Sequence, residues 1–300
     1  MISTGLIQND KINISKSSIP AGIRILLTFI SVLIASGLFQ ILGYIALGLD
    51  LSNYGLPQEF SLYEHSIMQF FGLIGTLIVV FLFRKYCDLK SIFSMGFFIK
   101  NNYKDLFWGF LSATLIISTG TLILLIIKDI TTIGYSLDSN NFSYGFLLFT
   151  IVALKEEILC RGYILNNLMG VMNKYLALAI SSLIFVLMHS FNSNLSWLGT
   201  LNLFIAGILL GSTYIYTKNL WFPISFHLFW NFIQGCVFDY NVSGLNVNSI
   251  FEFDMPIKNY FNGGDFGFEG SWLCTLLILC AVILIHYYYS RSNKTAYIQY

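Results

Sequence analysis

The stretch Leu154–Leu165, LKEEILCRGYIL, places two adjacent carboxylates, Glu156 and Glu157, between Lys155 and Arg161. It lies in an apolar run that begins at Gly145. His189 closes a second apolar run, and His227 and Asn231 stand four residues apart in a third. A charged side chain at the centre of a bilayer costs at least about 2.5 kcal/mol. Ionisable groups at such depth face the protein interior and mark functional sites by default.

Helical spacing sorts these residues by role. Side chains four apart share a face, so Glu157 and Arg161 form an internal ion pair. Glu156 is turned about 100° away from it, and its carboxylate is available to something else. Lys155 falls on yet another face, placed to snorkel or to pair locally. A carboxylate shielded from water is a suitable general base. A histidine helps to polarise the same water, while a second histidine and an asparagine amide donate hydrogen bonds to a developing oxyanion. That set, Glu156, His189, His227 and Asn231, fits hydrolysis of a peptide bond. The same Glu156, His189 and His227 are also a ligand set used by catalytic zinc sites, although the helical His-Glu-x-x-His signature is absent. Zinc therefore stays open beside a water–glutamate mechanism, and no cofactor is fixed. Cys160, four residues after Glu156, is the one nucleophile candidate on the same face.

The elements that must position these residues are membrane helices. The chain is 56% hydrophobic and only 10% charged, against about 25% charged in soluble domains. With a net charge of +1 there is no case for a nucleic-acid partner. The partners expected are membrane lipid and a protein or peptide substrate. Five cysteines without paired spacing read as reduced packing residues. A bilayer core needs about 20 apolar residues per helix. Such runs occur at roughly 25–48, 66–83, 106–127, 145–165, 175–191, 197–216, 220–238 and 271–289, the fourth, fifth and seventh being the least purely apolar. The expected fold is all-α, a polytopic transmembrane bundle of about eight spans. It divides into helices 1–3 with a basic loop (1–144), a core of helices 4–7 (145–238), and a loop with the last helix and a short tail (239–300). The polar start, 1–18, reads as preceding an uncleaved first helix.

Basic residues mark the cytoplasmic side. Arg84, Lys85, Lys90, Lys100 and Lys104 crowd the second loop, and Lys174, Lys218, Arg291 and Lys294 fall in later loops of the same parity. Both termini are then cytoplasmic. Leu89–Lys100, apolar with basic flanks, reads either as a segment along the inner surface or as an ordinary loop. The fourth and fifth helices turn near Met172–Asn173, which makes Glu156 and His189 equally distant from the turn and so level. His227 and Asn231 come to a similar depth from the turn at Lys218–Asn219, all nearer the cytoplasmic face. His65 and His286 read as interfacial side chains, and Phe185 as a packing residue one turn from His189.

These motifs resemble a known family. Glu156-Glu157 with Arg161 is similar to its EExxxR motif, Phe185 with His189 to FxxxH, and His227 with Asn231 to HxxxN. They are the motifs of the CPBP family, the CAAX-endopeptidase and bacteriocin-processing intramembrane proteases, also called Abi. The resemblance covers about residues 145–238. It implies a membrane endopeptidase of about eight helices with a conical cavity open to the cytoplasm. Glu156 and His189 would activate water, His227 and Asn231 would form the oxyanion site, and Glu157 and Arg161 would brace the helix. It leaves both glutamate-type and metal-dependent chemistry open. A plasma-membrane location is expected. The rival readings are a non-catalytic scaffold or bacteriocin self-immunity protein of the same fold, and a transporter. The transporter lacks the paired broken helices or repeat expected of it.

Overall fold

The computed structural model describes residues 19–55, 58–98 and 102–296. The polar start at 1–18 and Lys100 lie outside them, as does the side chain of Lys294.

Among the described residues, eight helices of 12 residues or more follow one another. They are α1 (Ala21–Ala46), α2 (Leu62–Leu82), α3 (Tyr103–Ile126), α4 (Ser139–Glu157), α5 (Lys174–Met188), α6 (Trp197–Thr217), α7 (Trp221–Phe232) and α8 (Trp272–Ala296). Five are long and apolar enough to cross a membrane: α1, α2 with its extension, α3, α6 and α8. α5 is apolar but shorter. The three that fall short are the runs least purely apolar in sequence. α4 and α7 each run on into a π-helical turn, and α5 stops at the histidine that follows it.

Three helices do not end as α-helices. α2 runs into a π-helical turn at Phe83–Cys87, α4 into one at Ile158–Leu165, and α7 into one at Ile233–Val237. π-turns inside helices are rare and gather at functional sites. The longest begins one residue after Glu157.

The fold departs from all-α at one point. Thr131–Tyr135 (β1) and Phe251–Asp254 (β2) pair antiparallel, with Thr131 opposite Asp254 and Tyr135 opposite Phe251. Their threonines and aromatics suit a pleated surface. The pair joins the loop after α3 to the long loop before α8.

The helix ends sort into two poles. At one pole Arg24 meets Asp88 at 2.9 Å, joining the start of α1 to the end of α2. Arg84, expected as a loop charge, is buried. It bonds Asp88, Asn166, Asn167 and Ser94 at 2.7–3.3 Å. Asn166 and Asn167, two residues of the polar run before the turn at Met172–Asn173, are therefore ligands of this guanidinium. Of the Leu89–Lys100 stretch, the described part, 89–98, is a loop with one short 3-10 turn that leaves Leu89, Phe93 and Phe98 exposed. Its 3-10 turn Ile92–Met95 buries Met95, whose carbonyl accepts from Tyr214, and Leu220 N–H donates to Gly96 O. At the other pole, Asn202 near the start of α6 donates to the carbonyls of Glu269 and Ser271 before α8. Phe142 of α4 packs on Phe232 at the end of α7.

Close helix approach depends on glycine at two places that bear on the site. A Cβ on Gly207 of α6 would meet Ser182 of α5 at 2.8 Å, and one on Gly109 of α3 would meet the Phe222 carbonyl of α7 at 2.7 Å.

Candidate active site

A cavity of about 250 Å³ lies between α2, α4, α5, α6 and α7. Glu156, His189, His227, Asn231 and Phe185 all line it, while Glu157 and Arg161 do not. The structure therefore separates the adjacent glutamates as their spacing on a helix requires.

Glu157, Arg161 and His227 form a buried unit. Arg161 Nη1 donates to Glu157 Oε1 at 2.8 Å, and its Nη2 donates to the Gly207 carbonyl at 3.1 Å. His227 Nδ1 lies 2.9 Å from the same Glu157 Oε1. A carboxylate only accepts, so this nitrogen carries the proton and Nε2 is left for the cavity. Glu157 therefore does more than brace its helix, because it also fixes the ring of His227. A second-motif residue closes the group. Phe185 stacks 4.6 Å beneath the Arg161 guanidinium and 4.4 Å from the His189 ring, with His227 at 6.1 Å. Its neighbours make Phe185 a three-way spacer as well as a packing residue.

His189 caps the end of α5, where its Nδ1 lies 2.8 Å from the Phe185 carbonyl. That carbonyl can only accept, so Nδ1–H donates and Nε2 turns toward Glu156. The separation from Nε2 to Glu156 Oε2 is 3.6 Å. Glu156 Oε2 is buried without a hydrogen-bond partner. Asn231, one turn beyond His227, is also buried and faces the cavity.

Several neighbours were missed or misassigned by sequence. Lys155 reaches from α4 across to α2. Its Nζ donates to Gln69 Oε1 at 2.5 Å, and both line the cavity. His65, in the first turn of α2, lines the cavity wall and packs against Phe60. His65 and Gln69 are four apart, so a polar stripe on one face of α2 was the signal available. His286 does sit at the surface, with Nδ1 2.8 Å from the Tyr216 hydroxyl. Glu269 reaches the cavity from the long loop and accepts from Trp230 Nε1 at 2.9 Å, a contact no local pattern announces. Cys160 is turned away. The π-turn carries more residues per turn than the α-helix behind the four-residue rule, so Cys160 leaves the face of Glu156. Its thiol lies 3.5 Å from Met188 Sδ, outside the cavity lining.

Catalytic zinc sites use three protein ligands. Among the described residues, no three His, Cys, Asp or Glu side chains gather in a group that could hold a metal ion. Glu156, His189 and His227 do not gather into such a group in this arrangement, and no step below is routed through a metal.

Residues 138–233 match the protein family described as Rce1-like, type II CAAX prenyl endopeptidase Rce1-like. The match runs from the Asp138 cap of α4 to just past α7 and contains all three motifs. No curated protein matches the chain, and no solved structure does.

Proposed function

From the premise that residues 138–233 are Rce1-like, of a peptidase family housed here in an integral membrane protein, we propose a glutamate-type intramembrane endopeptidase. It cuts a peptide bond of a membrane-associated protein or peptide, of the CAAX or the leader-peptide and pheromone type. The supporting observation is the buried, unpartnered Glu156 Oε2 3.6 Å from a His189 Nε2 held by its other nitrogen.

One water molecule spans that pair, with one hydrogen directed at Glu156 Oε2 and the other at His189 Nε2. Its lone pair then faces the scissile carbonyl carbon. As the C–O bond forms, the proton passes to Glu156 and the carbonyl becomes an oxyanion. The Asn231 amide donates to that oxygen. His227 Nε2 donates as well when its ring is protonated, with the Glu157 carboxylate balancing the charge. Collapse breaks the C–N bond, and Glu156 returns its proton to the leaving amine. Fixed donors aimed at a developing oxyanion are usually the largest single contribution to such a rate.

Glu156→Gln keeps the shape and removes the base. Comparing the membrane proteome of cells carrying the wild-type chain with that of cells carrying Glu156→Gln should reveal an uncut precursor that accumulates only with the variant. Identical proteomes would refute the assignment.

A further inference from the structure

Besides its histidines, the cavity lining holds the charged side chains Lys155, Glu156 and Glu269. The two carboxylates are provided for. Glu269 accepts from Trp230 Nε1 at 2.9 Å with one oxygen, and from the Ser243 N–H and hydroxyl at 3.0 and 2.6 Å with the other. Glu156 faces His189. Lys155 differs from both. No ion pair among the described residues includes it. Its hydrogen-bond partner is a neutral oxygen, Gln69 Oε1, at 2.5 Å.

An ammonium group has three N–H donors and no acceptor. The Gln69 atom that it meets is therefore the amide oxygen, and the amide nitrogen is left over. Gln40 Nε2 of α1 also approaches that oxygen, at 3.4 Å. Gln69 Nε2 has no acceptor among the described residues. Lys155 and Gln69 are both half-buried and both line the cavity, so this corner presents donors with nothing to accept them. A cation shielded from water needs an anion beside it, and the protein has none to spare. Glu157 is engaged by Arg161 and His227, and Glu269 by Trp230 and Ser243. Glu156 is turned about 100° away on the helix, and it loses its charge when it takes the proton of the attacking water.

We propose that Lys155 and Gln69 form a subsite for a carboxylate of the substrate, either the α-carboxylate of a chain end or the side chain of an aspartate or glutamate. The free N–H groups of Lys155 and the Gln69 amide bond its two oxygens. Charge-assisted hydrogen bonds of this kind are about twice as strong as neutral ones. Lys155 and Glu156 are consecutive on α4, and an extended chain advances about 3.4 Å per residue. The carboxylate then lies within about three residues of the bond that is cut. Lys155 thus governs which peptides are held and where the cut falls, while Glu156 and His189 perform the chemistry. This subsite rests on the proteolytic reading above.

The test uses the full chain in lipid vesicles and short synthetic peptides of random sequence. Glu156→Gln is the binding form, since it holds peptides without turning them over, and retained peptides are read by mass spectrometry. One pool has free C-termini, a second has amidated C-termini, and a third is amidated and lacks Asp and Glu. The third pool should be retained about 10–100-fold less than the first, the usual worth of a hydrogen bond to a charged group. A second pool retained like the first assigns the side chain as the source, and one retained like the third assigns the chain end. Adding Lys155→Met should remove the difference between pools, and adding Lys155→Arg should keep it. Gln69→Glu supplies the missing anion from the protein itself and should also remove the difference; it takes the place of Lys155→Met if that variant does not assemble. Equal retention of all pools by Glu156→Gln, or a preference that survives Lys155→Met or Gln69→Glu, would overturn the proposal. Retention needs no turnover, so cleavage by the wild-type chain and its loss in Glu156→Gln are judged separately.

Discussion

Glu157 Oε1 serves two partners at once, Arg161 at 2.8 Å and His227 Nδ1 at 2.9 Å. This sharing decides how substitutions at the site should behave. Glu157→Ala leaves the Arg161 guanidinium buried without its counter-charge, which costs about 3–5 kcal/mol. The expected outcome is a much lower unfolding temperature in detergent. Glu157→Gln keeps an acceptor for His227 but removes the charge, so it should lower kcat even in the fraction that assembles. A Glu157→Gln protein with wild-type kcat would show that the His227 contact is structural only. Asn231→Ala should assemble normally, because the amide faces the cavity and has no protein partner among the described residues. It should lose about 10²–10³ in kcat, the usual cost of one oxyanion donor, with little change in KM. Cys160→Ser should leave kcat within a few-fold of wild type, since Cys160 does not line the cavity and its thiol is engaged by the Met188 sulfur.

At the scale of elements, the site depends on how tightly α5 and α6 approach. Gly207 gives its carbonyl to Arg161 and its bare Cα to Ser182. Gly207→Val must push the two helices apart, and overpacking of this kind costs about 1–3 kcal/mol. Both the unfolding temperature and cleavage should fall together, because the displaced carbonyl releases Arg161. Normal cleavage in a destabilised Gly207→Val protein would separate the helix contact from the site. The helices themselves were legible in sequence because apolar runs of bilayer length have few other uses. Glu156 and Glu157 were separable because the helix geometry that turns neighbours apart holds up to the last α-helical residue. The π-turn after Glu157 was not legible, since no local pattern marks it and the groups that meet it come from other elements, Ser181 bonding the Cys160 carbonyl at 3.0 Å and Leu220 lying beside Gly162. Cys160 was misread for that reason. Lys155 and Gln69 were missed because their bond crosses from α4 to α2, and local spacing carries no information about which helices are neighbours.

On the scale of the whole molecule, charges at one pole are absorbed into a buried network around Arg84. Sequence distinguished the poles by sign but could not show that Arg84 turns inward, because its partners Asn166 and Asn167 are some eighty residues away. The absence of a three-ligand group among the described residues predicts that a chelator leaves cleavage by the purified protein unchanged; full loss restored by added zinc would contradict it. The most direct test of the central claim uses the precursor identified by the proteome comparison. Wild-type protein and Glu156→Gln, each reconstituted into lipid vesicles and shown to unfold at the same temperature, are incubated with it, and the new termini are read by mass spectrometry. The account predicts a single cut by the wild type and a loss of about 10²–10⁴ in rate for Glu156→Gln, the usual worth of a general base. Cleavage by Glu156→Gln at the wild-type rate would contradict it.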